Sequence, residues 1–370
     1  MAAGIYLHIP FCKSRCSYCD FATDVWRSGE AVEQYVTVLC REITGFPHRS
    51  ISVDTIYFGG GTPSLLEVHQ VETILETVGR TFAVSSDSEI TLEMNPATVT
   101  AEKLAAYLEL GINRASFGVQ TFNDRDLKLL ARGHNSNDAR TTFELLRAAG
   151  FANVSFDLIA GLPGQTLEDW SANLEEAISM QPEHLSLYLL EIHEGAPLAS
   201  QLRTSRRPLP DEDLAAEMYE LMIDRLAAAG YKQYEISNFS KPGLESRHNN
   251  KYWRLDPVFG FGVSAHSFDG RERYANERDT AKYVKMIEAS GRAEFYREEI
   301  DEASEFAFLG LRLNEGIVLD DYAARCRSGV GVDEKISQLR ENGLVTVTNG
   351  RLQLTKKGML FSNEVFAEFV

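Results

Sequence analysis

Long hydrophobic runs are absent from this 370-residue chain. Its wholly apolar stretches span only a few residues, whereas a helix that crosses a bilayer needs about 20, so we predict no transmembrane helix. The first ten residues also lack a basic segment followed by an apolar stretch and a small-residue cleavage site, which argues against a signal peptide. Together these absences predict a cytoplasmic protein.

Basic charge is also scarce. The chain has 37 Lys and Arg against 54 Asp and Glu, which gives a formal net charge of −17, and it has no run of five basic residues. Binding to nucleic acid or to an anionic membrane needs a basic face. We therefore expect no nucleic-acid partner, and any membrane association would have to come through a partner protein.

Cysteines are few, and their number, five, is odd. Three of them, Cys12, Cys16 and Cys19, lie within eight residues of each other. Such a group is a poor disulfide framework and a good set of metal ligands. Cys40 and Cys326 follow no partner pattern and are expected to be ordinary thiols.

The chain does contain a regular alternation of strand-like and helix-like segments. With 44% apolar residues, it can form one large α/β core and a smaller appended unit. Strands are predicted at residues 5–9, 55–58, 89–93, 114–119, 153–159 and 184–188. Helices are predicted at residues 30–43, 67–78, 101–108, 138–148 and 167–179. This repetition predicts a parallel sheet covered by helices, which is either doubly wound or an incomplete (β/α) barrel.

Polar residues follow these strands at the points where the strands end. In both architectures the ligand sits at the carboxyl ends of the strands. Cys12 follows the first strand, a triple glycine follows the second, Glu93 and Gln120 end the next two, and Asp157 lies late in the fifth. Because these residues reach the same edge independently, we expect one ligand site there.

We divide the chain into residues 1–207, 208–299 and 300–370. The second part begins with a helix at 213–229 and continues with an aromatic-rich segment. The third has a hairpin signal, Asn349-Gly350, between strand-like runs at 344–348 and 351–354, with helices on both sides. That order is typical of a winged-helix-like module. Residues 301–370 hold 8 Lys and Arg against 11 Asp and Glu, which favours a structural or docking role over DNA binding.

The cysteine spacing, CxxxCxxC, lets one short loop wrap three thiolates around a 4Fe-4S cubane. Three thiolates leave the fourth iron open to a small molecule. The alternatives are a zinc site and three unrelated surface cysteines. Zinc prefers four protein ligands in a closed site, and His8 is the only nearby candidate for the fourth. The spacing therefore favours an iron–sulfur cluster.

A family resemblance emerges from the residues around this motif. Tyr-x-His-Ile-Pro-Phe at residues 6–11 precedes it, and the aromatic Tyr18 lies within it. With these features the chain resembles the radical SAM superfamily and, within it, the group of coproporphyrinogen dehydrogenases (HemN) and HemW proteins. The resemblance implies a partial (β/α)6 barrel with a C-terminal α+β extension. It also implies a 4Fe-4S cluster and S-adenosylmethionine (SAM), which such proteins cleave to methionine and a 5'-deoxyadenosyl radical.

The same resemblance implies a cofactor pocket. Its expected members are Tyr6, Tyr18, Gly60, Gly61, Thr62, Glu93, Gln120, Arg132 and Asp157. Glycines allow the backbone to approach a ligand closely, and Thr62 is expected to cap the helix that begins at Pro63. Arg132 would neutralise the SAM carboxylate, and Asp157 would bind a ribose or a cationic group. Without the resemblance, Glu93, Gln120, Arg132 and Asp157 are better explained as ordinary surface or capping residues.

Two departures separate the chain from HemN-type enzymes. These enzymes have a further cysteine two positions after the third, where this chain has Phe21, and a much longer segment before the tyrosine. HemW proteins have phenylalanine there and a His-Asn-x-x-Tyr-Trp motif, which matches residues 248–253. The resemblance therefore implies a haem chaperone that binds haem and passes it to an acceptor apoprotein, with His248 in contact with haem.

Several alternatives stay open on the sequence. The chain could be an oxygen-independent coproporphyrinogen III oxidase, another radical SAM enzyme acting on a tetrapyrrole, or, less in keeping with its charge, a transcriptional regulator. His248 could equally be a histidine satisfied inside the fold. The other candidates for the axial haem ligand are His8, His134, His184, His193 and His266. Ser246 stands where HemW proteins often have a cysteine, which disfavours covalent attachment. Cleavage of SAM and homodimerisation are left open.

Overall fold

The computed structural model describes residues 2–26, 28–48, 51–204, 209–326 and 332–370. Its strands are β1 (Ala3–Ile9), β2 (Phe11–Cys12), β3 (Asp24–Val25), β4 (Ser52–Gly60), β5 (Ala83–Met94), β6 (Arg114–Gln120), β7 (Val154–Ala160), β8 (His184–Leu189), β9 (Lys232–Gln233), β10 (Asn238–Ser240), β11 (Val258–Phe261), β12 (His266–Phe268), β13 (Glu272–Asn276), β14 (Glu294–Glu299), β15 (Ile317–Val318), β16 (Val345–Thr348) and β17 (Arg351–Leu354).

The helices alternate with these strands in the first half of the chain. They are α1 (Gly29–Thr44), α2 (Val68–Thr81), α3 (Ala101–Glu109), α4 (Asp124–Leu129), α5 (Ser136–Ala149), α6 (Leu167–Met180), α7 (Pro197–Arg203), α8 (Glu212–Ala228), α9 (Arg247–Trp253), α10 (Thr280–Ser290), α11 (Glu302–Gly310), α12 (Leu319–Arg325), α13 (Val332–Glu341), α14 (Lys356–Leu360) and α15 (Ser362–Ala367). A short 3-10 helix covers Pro63–Leu65. Within the described ranges, no helix has the length and apolar character needed to cross a membrane.

One 12-stranded sheet forms the centre of the molecule, in the order β14-β13-β12-β11-β1-β4-β5-β6-β7-β8-β10-β9. The six strands predicted from the sequence lie side by side in chain order and are parallel. A doubly wound sheet reverses its strand order at a switch point, and these six strands do not. The prediction of a partial (β/α)6 barrel is therefore confirmed.

Alternation along the strands separates an apolar outer face from a polar inner one. On β1, Ile5, Leu7 and Ile9 are fully buried in the hydrophobic core, while the intervening Tyr6 is half-buried and stacks on Tyr57 of β4. Because side chains of successive residues point to opposite faces, the concave face of the sheet encloses a polar interior. We call this interior the barrel lumen, and it is lined by Tyr6, Tyr57, Glu93, Arg114, Asp157 and Tyr188.

The remaining strands extend the same sheet at its two edges. β11 pairs with β1 in parallel, and β12, β13 and β14 follow it in antiparallel pairs. At the opposite edge β10 pairs with β8 in antiparallel fashion. The predicted start of the second part at residue 208 lies outside the described residues. The division of the chain into three domains stays a prediction.

The C-terminal region forms a separate three-stranded sheet, ordered β15-β17-β16, with helices around it. The predicted hairpin is confirmed, because β16 and β17 pair in antiparallel fashion across Asn349 and Gly350. Both turn residues have positive φ, 52° and 74°, as the favoured two-residue hairpin turn requires.

Candidate cluster and cofactor site

The three clustered cysteines lie on the loop that joins β1 to α1. The two-residue strands β2 and β3 pair in parallel and close this loop at its base. Two backbone bonds reinforce the closure, from Asp24 N to Pro10 O at 2.8 Å and from Trp26 N to Cys12 O at 2.8 Å. The loop is thus held at the carboxyl end of β1, as predicted.

The middle of the loop is fastened to the far side of the barrel by Ser17. Its backbone N donates to Leu130 O at 2.9 Å, and its hydroxyl donates to Leu129 O at 3.0 Å. The adjacent Tyr18 packs against a separate apolar cluster that includes Leu162 and Leu198. Tyr18, which lies between Cys16 and Cys19 in the sequence, therefore packs the cysteine loop against this cluster, next to the predicted pocket.

All three thiols are half-buried and unpaired by disulfides. Burial raises the pKa of Cys12 and of Cys19. Arg132 counters this effect on both, and its Nη1 donates to Cys16 Sγ at 3.4 Å. A cation that donates to sulfur stabilises the thiolate form that a metal cluster needs.

These residues fit the group that the resemblance implies. In the described part of the chain, no three His, Cys, Asp or Glu side chains converge around a position for a single metal ion. A cubane does not need such convergence, because each thiolate binds a different iron. In addition, Arg132 Nε is buried without a hydrogen-bond partner. An unpaired donor beside three thiols suits a bound anionic group.

The triple-glycine turn lies directly against the cysteine loop. Gly61 N donates to Ile9 O at 2.8 Å, and Thr62 N donates to Phe11 O at 2.8 Å. A Cβ added at Gly61 would come within 2.8 Å of backbone atoms of Pro10 and Phe11. Glycine is required at position 61 because two backbones meet there. The predicted close approach of this turn to SAM stays a prediction.

Thr62 occupies the predicted N-cap position, but its hydroxyl makes other contacts. It stands at the N-cap of the short 3-10 helix, and its side chain makes no capping bond. Its hydroxyl accepts from Asn95 Nδ2 at 2.6 Å and lies 3.4 Å from Cys12 Sγ. The predicted N-cap position of Thr62 is confirmed, but its hydroxyl bonds to Asn95 and contacts Cys12 instead of capping the helix.

Asn95 is the residue that sequence reasoning missed. It follows β5, accepts a hydrogen bond from Arg132 Nη2 and donates to Thr62. Arg132 Nη2 also donates to Gly118 O at 2.7 Å. Polar contacts therefore join Cys16, Arg132, Asn95, Thr62 and Cys12. The signal available in the sequence was the position of Asn95 just after a strand end.

The predicted acidic residues both face the lumen and are hard to ionise. Glu93 accepts from the Tyr57 hydroxyl at 2.7 Å and from Gly60 N at 3.2 Å, and burial raises its pKa to about 7. Burial raises the pKa of Asp157 to about 6. Both carboxyls can therefore donate or accept hydrogen bonds near neutral pH.

Gln120 lies at the carboxyl end of β6 with a positive φ of 67°. The register of β6 and β7 shifts at this position, as expected at an irregular strand end. The structure thus brings Gly60, Gly61, Thr62, Glu93, Gln120, Arg132 and Asp157 to the carboxyl-end rim or the adjacent lumen. Tyr6 lies deeper, and its hydroxyl donates to His8 Nδ1 at 3.1 Å.

His248 lies at the other end of the barrel. Helix α9 places it beside Gly4 and Thr55, whereas the cysteine loop follows the opposite end of β1. Its ring is 1% exposed, and its nitrogens bond the hydroxyls of Thr55, at 2.9 Å, and Tyr252, at 3.2 Å. Burial lowers its pKa to about 3. In this conformation neither ring nitrogen is available to iron, and the predicted haem contact stays a prediction.

The other candidate histidines fall into two groups. His8, His134 and His184 are buried and bonded within the protein. His193 and His266 have accessible rings, although His266 Nδ1 lies 3.3 Å from the Tyr296 hydroxyl. The His193 segment reaches the loop at Gly195, where an added Cβ would lie 3.7 Å from Asp20 Oδ1. His266 lies close enough to His8 for its charge to lower the pKa of that buried ring.

Comparison with known proteins identifies relatives of this chain. Residues 6–177 match the Radical SAM superfamily, and residues 298–361 match the HemN C-terminal domain. The chain is 38% identical to the "Heme chaperone HemW" of Bacillus subtilis, over 99% of this chain and 98% of that protein. It is 34% identical to the "Heme chaperone HemW" of Escherichia coli, over 99% and 98% respectively.

Among solved structures, the coproporphyrinogen III oxidase HemN of Escherichia coli has the same fold. It superimposes with a TM-score of 0.86 and 24% identity, over 100% of this chain and 90% of that one. At this identity the likeness concerns the fold alone. It covers the sheet, its helices and the C-terminal extension.

Proposed function

The chain belongs to the HemW family of the radical SAM superfamily, and from this premise we propose that it is a haem chaperone that passes haem to an acceptor apoprotein. The observation that carries the proposal is the similarity over almost the full length of the chain to curated heme chaperones. Its reduced cysteines are suited to the cytoplasm, where we place the protein.

Cys12, Cys16 and Cys19 are the residues that would hold a 4Fe-4S cluster, and the Gly60 to Thr62 turn would border SAM. A cluster with one open iron supplies an electron to SAM when both are bound. Arg132 would hold the amino-acid end of SAM through the donors it directs at Cys16 and the rim. Glu93 and Asp157 would meet its polar groups from within the lumen, since both carboxyls can exchange a proton near neutral pH.

Phe21 supports a scaffold role for the cluster. It lies two residues after Cys19, where HemN-type enzymes have a further cysteine, and 66% of its surface is exposed. An exposed apolar side chain next to the cluster loop offers contact area to a flat apolar ligand. The cluster and SAM would then regulate haem transfer or association rather than turn over a substrate.

We place haem at the rim beside the cysteine loop. Phe21, Ile192 and Tyr188 are exposed aromatic or aliphatic side chains, and the rings of His193 and His266 are accessible. An accessible imidazole is a suitable axial ligand for haem iron. We place haem there because these side chains are exposed, whereas His248 has no free ring nitrogen in the described conformation.

Haem titration of the cluster-loaded protein tests both the function and the place. We expect a stable Soret band whose position or intensity changes in His193→Ala or His266→Ala. His69→Ala is the matched control, because His69 is an exposed histidine on α2 paired with Glu33. A band lost in His248→Ala, with folding and iron content unchanged, would return the haem contact to His248.

Anaerobic incubation with SAM, a reductant and coproporphyrinogen III addresses the enzymatic alternative. We expect no decarboxylated product above the level of a cluster-free control. Product formation together with release of 5'-deoxyadenosine would contradict the chaperone proposal and favour a coproporphyrinogen oxidase.

A further inference from the structure

Arg114 is a buried cation in the lumen to which neither the proposed function nor the comparisons assign a role. It is the first residue of β6 and pairs in register with Thr91 of β5. Its side chain is 2% exposed. The neighbouring Ala115 and Phe117 belong to the outer apolar core. By alternation the guanidinium therefore extends into the lumen.

The guanidinium has no partner of opposite charge. Its Nε is buried without a hydrogen bond, and so is the hydroxyl of the neighbouring Thr91. Across the described ranges no carboxylate forms an ion pair with it. Burying an unpaired charge is costly, and arginine cannot escape the cost by losing its proton. A buried cation of this kind is expected where an anion binds.

The polar groups around Arg114 are already occupied by other bonds. His184 bonds Ser155 at 2.8 Å and Tyr234 at 2.8 Å, and His248 is bonded on both sides as described above. Burial keeps the pKa of both imidazoles low, and the charge of Arg114 lowers it further. The imidazoles around Arg114 are therefore neutral. The buried carboxyl of Glu89, two residues before Thr91 on β5, is already bonded to the backbone N–H groups of Arg247 and His248 and makes no ion pair with Arg114.

Arg114 also acts on two carboxyls nearer the rim, Glu93 and Asp157. The charge of Arg114 lowers the pKa of both carboxyls, against the larger effect of burial. In register, Glu93 lies beside Ser116 and Asp157 beside Gly118. The charge of Arg114 thus affects two carboxyls that lie at least two residues nearer the rim than the Cα of Arg114. A ligand that extends from the rim past these carboxyls would approach the guanidinium.

The lumen is also open to solvent. Tyr188 lies on β8, next to β7 within the sheet, and is 42% exposed, yet desolvation raises its pKa. A side chain that is accessible and still surrounded by protein faces an internal space. Because Tyr188 belongs to the carboxyl half of its strand, this space opens toward the rim.

We propose that Arg114 binds a carboxylate group of a ligand that enters the barrel lumen from the rim. The planar guanidinium matches a carboxylate in two parallel hydrogen bonds. A monoanion is favoured over a phosphate because two carboxyls already face the same space. The source is either a propionate side chain of a tetrapyrrole such as haem or a free small carboxylate anion. The first source rests on the proposed function, and the second does not.

The first experiment compares haem with haem dimethyl ester, in which both propionates are blocked. In titrations of cluster-loaded protein, Arg114→Gln should weaken haem binding about ten- to hundred-fold, the range of a hydrogen bond to a charged group. It should leave the affinity for the ester unchanged. Arg114→Lys should fall between, because lysine keeps the charge without the fork. Arg147→Gln is the matched control, since Arg147 pairs with Glu183 outside the lumen.

The second experiment uses sodium propionate and does not depend on haem. Propionate should raise the melting temperature of the wild-type protein above that in sodium chloride of equal ionic strength, and it should not do so for Arg114→Gln. If wild-type protein binds no haem, the proposed function fails while this measurement still decides the role of Arg114. If replacement of Arg114 changes haem binding but not the response to sodium propionate, the carboxylate that Arg114 binds is a propionate side chain of the tetrapyrrole.

Ligand-free stability separates a binding residue from a structural one. Replacement of an unpaired buried cation by a similar apolar group, Arg114→Met, should leave the melting temperature unchanged or raise it. A fall in melting temperature, with haem and propionate responses equal to those of the wild type, would overturn the proposal. If Arg114→Gln does not fold, Arg114→Lys decides the question. Affinities of Arg114→Lys for haem and for propionate equal to those of the wild type would then overturn the proposal as well.

Discussion

Gly61→Ala tests the contact between the glycine turn and the cysteine loop. An alanine Cβ would lie 2.8 Å from Pro10 C, Pro10 O and Phe11 O, whereas ordinary contacts begin at 3.4 Å. The backbones must therefore separate by roughly 0.6 Å, the difference between these distances. All three obstructing atoms belong to the main chain, so no side-chain rotation can relieve the clash.

The expected cost follows from this geometry. Forced overpacking of a tight site costs about 1–3 kcal/mol. The separation would also stretch the bonds that Gly61 and Thr62 donate to the cysteine loop. Gly79→Ala is the matched control, since an added Cβ there meets nothing within 4 Å. Gly79 lies in the exposed part of α2, and alanine should stabilise it by about 0.5–1 kcal/mol.

Two measurements check this prediction. Denaturant unfolding should show a loss of stability for Gly61→Ala and a gain for Gly79→Ala. Iron per chain after reconstitution should fall only in Gly61→Ala, because the displaced loop carries Cys12. If Gly61→Ala retains wild-type stability and iron content, the turn does not support the cysteine loop and the reasoning fails.

Three further predictions concern other parts of the site and its surroundings. Burial raises the pKa of Glu42 from 4.5 to about 7, so the contribution of Glu42 to stability is complete below about pH 4.5 and is lost as the pH rises to about 7. Glu42→Gln should remove this decline of about 3 kcal/mol in the free energy of unfolding. The measurement compares unfolding of the two proteins across this pH range, and parallel profiles would contradict the prediction. Arg132→Lys should weaken SAM binding by about ten-fold, measured by calorimetry at equal iron content, because lysine lacks the forked guanidinium that contacts Asn95 and Cys16. An unchanged affinity would show that Arg132 does not belong to the SAM pocket. Glu89→Gln should lower the free energy of unfolding by about 1–3 kcal/mol, because Glu89 accepts hydrogen bonds from the first two backbone N–H groups of α9. Denaturant unfolding measures this loss, and a midpoint equal to that of the wild type would show that other contacts hold α9.

The fold was predictable because its signals are local and repeated. Each of the six parallel strands, from β1 to β8, contains a short apolar run followed by a polar or glycine residue. The structure extends these predicted strands by a few residues and keeps their order. The rim followed as well, since the carboxyl ends of parallel strands must share one edge. Local pattern and strand geometry were therefore sufficient for the parallel sheet and its rim, whereas the choice of a partial barrel over a doubly wound sheet came from the family resemblance.

The misjudged residues depend on contacts that no local pattern contains. Thr62 looks like a cap in sequence, and its hydroxyl is instead taken by Asn95, 33 positions away. Arg114 was treated only as the beginning of a strand, and its burial without a counterion becomes visible when the sheet curves around it. Such features arise from side chains brought together by the curvature of the sheet, which a one-dimensional pattern does not record.

The two ends of the barrel also affect how variants of His248 are interpreted. His248 lies beside Gly4, and the cysteine loop begins after Ile9, five residues along β1, or about 16 Å at the usual rise per residue. His248→Ala leaves the hydroxyls of Thr55 and Tyr252 without their partner and opens a cavity, at a cost of several kcal/mol. Loss of haem binding in that variant therefore reports contact only if stability is retained. His248→Gln, which keeps polar atoms near both hydroxyls, separates the two causes: it should restore stability in either case, and restored haem binding would show that His248 supports the barrel rather than ligating iron.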